Sequence, residues 1–350
     1  MKIALICPSN MLYMPYVRYY TRIFEEMNVD YDIINWDRFG IEKRGEFVYR
    51  DSKFGHKRGV LDYLGYVKFA LGIMKKQNYD KVIVFGIQLV FFMKEHLVRD
   101  YRNSFVIDIR DYNRVMNFFN IAGTIEQSAF TVLSSPGYKE WLPKSDKYVI
   151  NHNTSIDNLA ELRELTGECF KKGDKVSIGC IGALRDYHIN IDLIEALKNN
   201  DSIHLNYHGE GDINRKISKY LVKNGINNVN LSGRYVQDEE EALYRINDII
   251  NVLRYDDGIN NKTALPNRLY NAAMYGKPML AFEGTQLSEI IKAYDLGLVI
   301  NDFREVDKLV CQYLNAINID EYAKGRTEFF SRVIKDNLRF AESLRGFICK

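Results

Sequence analysis

Residues that staple small or secreted folds are scarce in this sequence. Its five cysteines, Cys7, Cys169, Cys180, Cys311 and Cys349, are scattered, odd in number and without a CxxC spacing. A disulfide framework or a zinc site is thereby excluded, and a reducing compartment fits. No apolar run approaches the ~18 residues that cross a bilayer. The opening run, Lys2–Cys7, is too short for a secretory signal and is stopped by Pro8. Charge of one sign is lacking too: 48 Lys and Arg stand against 46 Asp and Glu, a net of +2. A dedicated nucleic-acid binder carries a strong basic excess, so that class is excluded. These absences predict a cytoplasmic protein that at most touches the inner face of a membrane.

What is present suffices for two cores. At roughly 100–200 residues per domain, 350 residues predict two domains. Hydrophobic residues make up 46% of the chain and charged residues 27%, a globular composition. Twenty-four Tyr give a high aromatic content. Tyr suits stacking on sugars and bases, and the compositional bias of an AT-rich genome accounts for it as simply.

Short apolar runs alternate with helical spacing along the first half. Strands are predicted at residues 2–7, 31–36, 81–85, 104–109 and 130–134, with helices over 16–27 and 61–77. That alternation predicts a doubly wound parallel sheet. Residues 42–58 break the rhythm and predict a long loop. This loop holds Lys43, Arg44, Arg50, Lys53, Lys57 and Arg58 against Glu42, Glu46 and Asp51. A basic loop dotted with aromatics can meet an anionic lipid surface or an acceptor phosphate; a solvated loop is the plainer alternative. After a connecting helix at 159–170 and a charged linker at 171–175, strands restart at 176–181, 204–207, 229–232, 249–253 and 278–282. The expected division is an N-terminal domain over 1–160 and a C-terminal domain over 174–321. An amphipathic helix is predicted at about 322–347. In sheets of this kind ligands bind beyond the carboxyl ends of the strands.

The run from Thr263 to Pro278 is the most informative. Pro266 suits a first helical position, and Gly276 a C-terminal cap before Pro278. The helix between them would aim its N-terminus, with Leu265, Pro266 and Asn267, at the strand ends. Exposed N–H groups and the helix dipole make that end an anion site, and Arg268 in the first turn adds a forked cation. An ordinary capped helix with Arg268 in solvent explains the same residues.

This run resembles the signature Pro-Asn-Lys-Leu-Tyr-Glu-Ala-Met-Ala-x-Gly-Lys-Pro of family 4-like bacterial glycosyltransferases. Downstream, the stretches from Gly284 to Ile291 and from Tyr294 to Ile300 are similar to that family's next elements. Upstream, Gly182-Ala183-Leu184-Arg185 resembles its Gly-x-x-Arg turn, Gly209-Glu210-Gly211-Asp212 its Gly-x-Gly loop, and Gly233-Arg234-Tyr235 its base-binding loop. The likeness is strong over about residues 176–301 and weak before them. It implies the GT-B architecture: α/β, two Rossmann-like domains facing across a cleft, with the C-terminal helix (322–350) crossing back onto the first. The implied function is transfer of a sugar from a nucleoside-diphosphate sugar, of UDP or GDP type, to a glycan or lipid-linked acceptor in surface or capsular polysaccharide assembly. Retention of anomeric configuration follows from the same resemblance.

Charge developing on the leaving diphosphate calls for preorganised donors. Arg185, Arg268 and the helix end around Asn267 are the expected ones, with no cofactor and no metal. The family's paired glutamates fall at Thr263 and Asn271, which carry no charge; Glu283 is a candidate substitute. On the acceptor side Asp108 and Asp111 are candidate bases, Arg110 being able to pair with either, and Ser9 and Asn10 follow the first strand. Asp30-Tyr31-Asp32 matches a metal-binding Asp-x-Asp pattern at the start of a strand, where chance explains it. The histidines form no ligand cluster. A UDP-sugar 2-epimerase-like enzyme and a catalytically inactive binding partner are the alternatives.

Overall fold

The computed structural model describes residues 1–165 and 175–350. It contains two compact units: residues 1–152 with 335–350, and residues 153–334. The sequence placed these divisions at 160 and 322.

In the first unit the chain runs β1 (Lys2–Cys7), α1 (Val17–Glu26), β2 (Asp30–Trp36), β3 (Val48–Tyr49), α2 (Val60–Gln77), β4 (Lys81–Phe85), α3 (Ile87–Asp100), β5 (Phe105–Ile109), α4 (Ala122–Gln127), β6 (Phe130–Leu133) and β7 (Tyr148–Ile150). The strands form one parallel sheet in the order β3-β2-β1-β4-β5-β6-β7. β1 and β4 are buried along nearly their whole length, as parallel strands covered on both faces must be.

The second unit holds β8 (Val176–Ile181), α5 (Tyr187–Leu197), β9 (Ile203–His208), α6 (Asn214–Asn224), β10 (Val229–Gly233), α7 (Glu240–Arg245), β11 (Ile249–Asn251), α8 (Ile259–Thr263), α9 (Asn267–Met274), β12 (Met279–Phe282), α10 (Gln286–Ala293), β13 (Gly297–Ile300) and α11 (Val306–Ala316). Its parallel sheet has the order β10-β9-β8-β11-β12-β13. Side-chain alternation sorts each strand between two cores. Ile249 and Leu253 join α5, α6 and α11 on one face, while Ile250 and Val252 join α9 and α10 on the other. Both sheets reverse strand order once, between β1 and β4 and between β8 and β11, and such reversals open a crevice at the strand ends.

The last helix, α12 (Ile319–Cys349), belongs to both units. Tyr322, Phe329, Phe330 and Val333 pack in the second unit's core; Phe340, Leu344, Phe347 and Ile348 pack against α1 and β1 of the first. Lys81 Nζ donates to the carbonyls of Phe347 and Ile348 and so caps the helix end.

Three expectations are corrected. Residues 42–58 are not all loop, because Val48 and Tyr49 pair with Asn35 and Trp36 as the edge strand β3. Nor are they simply solvated: the Arg58 side chain is fully buried on Asp51. The helix expected at 159–170 is, in its described part, a 3-10 turn at Leu159–Glu161 capped by Asn158; its remainder and most of the 171–175 linker lie outside the described residues. No described helix is long and apolar enough to cross a membrane.

Candidate functional site

The switch point of the second sheet is held by one side chain. Arg268, in the first turn of α9, donates from Nε to the Ile181 carbonyl (2.7 Å) at the end of β8, and from Nη1 to the Asn251 carbonyl (2.8 Å) at the end of β11. Nη2 lies 3.4 Å from the Ala183 carbonyl on the more exposed side. The arginine read from sequence as a phosphate ligand is therefore first a clamp between two strand ends, and a half-buried cation second. Pro266 is the N-cap of α9 rather than its first residue, and Asn267 is exposed at the helix start. At the opposite end, Arg326 of α12 donates to the carbonyls of Ala273 (2.6 Å) and Met274 (2.7 Å). Gly276 follows with φ +68°, the left-handed conformation that closes a helix. Arginines thus hold α9 at both ends.

Three glycine-bearing loops converge on this point. A Cβ on Gly209 (φ +130°) would lie 2.0 Å from the Gly182 carbonyl oxygen, and one on Gly211 would lie 1.9 Å from that of Leu184. Only glycine lets these backbones meet. Gly182 N donates to His208 O (2.9 Å) and Gly209 N to Gly233 O (2.7 Å), so the loops after β8, β9 and β10 form one backbone layer. Asn190 extends it, donating to the carbonyls of Arg185 (2.8 Å) and Asp186 (2.9 Å) while accepting from Asn251 (3.4 Å). Arg185 is exposed on this layer, and its guanidinium pairs with no carboxylate among the described residues. Arg234 is exposed 3.7 Å from Glu210. His208 donates or accepts through Nδ1 at Ser232 Oγ (2.8 Å), and burial lowers its pKa.

A carboxylate that sequence reasoning missed completes the cluster. Glu240, at the start of α7, accepts from the Tyr235 hydroxyl (3.1 Å) and from Asn271 Nδ2 (3.2 Å). Burial raises its pKa, and the two hydrogen bonds offset this only in part. Glu240 lies in the acidic run 238–241. The available signal was Tyr244, one turn later and fully buried, which turns the same helix face inward. Glu283 and Thr263 are elsewhere engaged: Glu283 is exposed and bonded to Lys292, and Thr263 is buried with Oγ1 donating to Ile259 O (2.6 Å).

With this geometry in hand, solved structures can be compared over the whole chain. HepE of Anabaena, crystallised with UDP and glucose, superposes with a TM-score of 0.69 at 13% identity, covering 99% of this chain and 100% of that one. Sucrose-phosphate synthase of Thermosynechococcus elongatus gives 0.71 at 12%, with 100% and 99% covered. A glycosyltransferase of Rickettsia africae gives 0.66 at 15%, with 98% of each covered. The fold is GT-B. No protein-family model matches the chain, and no curated protein matches it in sequence.

Within this GT-B chain, the first unit's candidates sit differently. Asp108 is fully buried on β5; it accepts from Tyr20 Oη (2.6 Å) and from Arg110 Nε (2.6 Å) and Nη2 (2.8 Å). The geometry favours the pairing alternative over a base. Burial alone would lower the Arg110 pKa, but the Asp108 charge and hydrogen bonds hold it above its usual value. Arg110 also donates to Asn151, at O (3.0 Å) and Oδ1 (2.7 Å). Asn10 is buried as well, donating to Asp37 (2.6 Å) and accepting from Arg38 N (2.9 Å). Ser9 is half-buried after β1, and Asp111 is exposed after β5. Asp32 bonds Tyr79 (2.6 Å) and Lys2 (2.7 Å) at the amino end of the sheet, a structural use of the Asp-x-Asp pattern. Among the described residues no three His, Cys, Asp or Glu side chains stand close enough to hold a metal ion.

Proposed function

We propose that the chain is a glycosyltransferase that takes its sugar from a nucleoside-diphosphate sugar held at the carboxyl ends of β8, β9 and β11. The observation that carries this reading is the switch point itself: three loops pressed together by glycines, with the N-terminus of α9 and the Arg268 cation beside them. Such a surface offers backbone N–H groups and positive charge where a diphosphate needs them. Likeness in fold to HepE, crystallised with UDP-glucose, supports the same reading.

In this reading the exposed Arg185 guanidinium and the outer edge of Arg268 meet the charge that develops on the leaving diphosphate, with Asn267 at the helix start. Gly233, Arg234 and Tyr235 take the base. Glu240, oriented by Tyr235 and Asn271, supplies a carboxylate for hydroxyl groups of the nucleotide, since Asn271 carries none. The acceptor is a glycan or lipid-linked glycan. The resemblance in sequence supports a retaining reaction of the family 4 type toward a bacterial surface or capsular polysaccharide; the two arginines with the helix dipole support a metal-independent one, and the scattered cysteines a cytoplasmic location.

The test is incubation with a panel of UDP- and GDP-sugars, with and without EDTA. Slow release of nucleoside diphosphate from one donor, unchanged by EDTA, is expected. Epimer formation, or tight binding without any release, would replace this reading with its alternatives.

A further inference from the structure

The loop region between β2 and α2 is sorted inside out. Arg38 and Arg58 lie inside it, while Phe54 stands in solvent. Arg58 donates to Asp51 and to the carbonyls of Gly55, Lys57 and Lys53 (all 2.7–3.0 Å), and its side chain is fully buried. Arg38, also buried, donates to His56 O (3.1 Å) and Tyr63 Oη (3.1 Å) and stacks over Trp36, 4.4 Å from the ring centre. Arg50 donates to the buried Asp37 (2.6 Å). This interior polar frame fixes the loop's path, so its outer face is presented rather than trailing.

That outer face is apolar. Phe54 is 81% exposed, Leu61 82% and Leu12 67%. The Phe39 ring touches those of Tyr13, His56 and Phe54, and Tyr13 touches His56, with centroids 4.7–5.4 Å apart. Met11 N donates to Glu42 (2.8 Å) and ties the Met11–Tyr13 turn to the same loop. Ile41, Val60 and Leu64 are also exposed. Single exposed apolar residues are ordinary, whereas a cluster on a rigid frame marks a binding surface.

Charge decides what the surface fits. Residues 37–59, from the end of β2 to the start of α2, hold seven Lys or Arg against four Asp or Glu, a net of three positive charges, while the whole chain carries +2. Lys43, Arg44 and Lys57 are exposed and pair with no carboxylate among the described residues. An aromatic and aliphatic tip rimmed by cations matches the boundary of an anionic bilayer, where rings and methyls enter the headgroup level and cations meet lipid phosphates. A nucleic acid would use the cations and leave Phe54 and Leu61 in water.

We propose that this face docks the first unit peripherally on an anionic lipid surface. The inference is independent of the donor reading. It is tested by sedimenting the intact protein with vesicles of phosphatidylcholine alone or with about 30% phosphatidylglycerol. Binding is expected only to the anionic vesicles, and to weaken with salt. The double variant Phe54→Ser, Leu61→Ser should bind at least about 10-fold less, from the apolar area withdrawn. Lys43→Glu with Arg44→Glu should lose a similar factor at low salt only. Unchanged melting curves verify that both variants fold. Absence of wild-type binding to anionic vesicles at low salt overturns the proposal, as does equal binding by the apolar variant. Concentration-dependent self-association that Phe54→Ser abolishes, without vesicle binding, would assign the face to a second copy instead.

Discussion

At the carboxyl ends of β1 and β2, beside the first sheet's reversal, the carbonyls of Cys7 and Ile34 lie 2.9 and 2.7 Å from one neutral group, the Tyr66 hydroxyl, whose single proton serves either. At the carboxyl ends of β8 and β11, the carbonyls of Ile181 and Asn251 are satisfied by a cation, Arg268. The first sheet does carry an arginine nearby, but Arg110 is neutralised by Asp108. Two sheets with the same order around their reversal thus end in different electrostatics. Topology supplies a crevice in both; at the second reversal the two strand ends are joined by a cation over glycine-thin backbone. Shared architecture locates a site, and the side chains at the strand ends decide which ligand charge it accepts.

Five substitutions probe that contrast. The largest effect on stability is expected from Arg110→Ala, which strands a buried carboxylate and should cost about 3–5 kcal/mol in urea denaturation. Arg268→Ala removes the donor from two strand-end carbonyls and should cost about 2–4 kcal/mol. It should also weaken UDP binding, by calorimetry, and lower turnover by about 10²–10³. Wild-type UDP affinity in a folded Arg268→Ala protein would erase the distinction between the sheets.

Gly209→Ala places a methyl group in the left-handed region and against the Gly182 carbonyl. Loss of about 1–3 kcal/mol, together with loss of nucleotide binding, is expected. Retained binding would show that the three loops need not touch.

Glu240→Gln sharpens the contrast through pH. Because the folded state raises the Glu240 pKa above its ordinary 4.5, the native protein binds its proton more tightly than the unfolded chain. The residue's contribution is then most favourable below 4.5 and is lost as pH rises through the raised value. Thermal melts should find the variant gaining on wild type across that window, while its UDP affinity falls about 10-fold. A constant difference in melting temperature would mean that Glu240 is not desolvated. The smallest effect is expected for Arg304→Ala, whose partner Asp302 lies two residues away on the surface (2.5 Å). A clear fall in melting temperature there would contradict the weakness of exposed pairs.

Much of the fold was legible in the sequence where apolar runs end on turn residues: β1, β4 and β8 were read to the residue. β3 was missed because two residues in a charged loop carry no period, and only pairing with β2 makes them a strand. α3 follows β4 with one intervening glycine and is apolar on more than one face, so its 3.6-residue period is masked. At the site, Arg268 was legible from a capped helix and the glycines through the family resemblance, since backbones that meet this closely admit no other residue. What Arg268 holds was not, since Ile181 and Asn251 lie 87 and 17 residues away. Glu240 was invisible for the converse reason. One carboxylate in a run of four is singled out by helix phase alone.

The sharing of α12 bears on how the protein is made. During synthesis the strands and helices of residues 1–152 emerge first, yet the hydrophobic face around α1 stays uncovered until Phe340, Leu344, Phe347 and Ile348 arrive. An amino-terminal domain ordinarily finishes folding while later segments are still being translated, which requires a core contiguous in sequence, and this unit's core is not. The residues that complete the first unit's core are translated after every residue of the second.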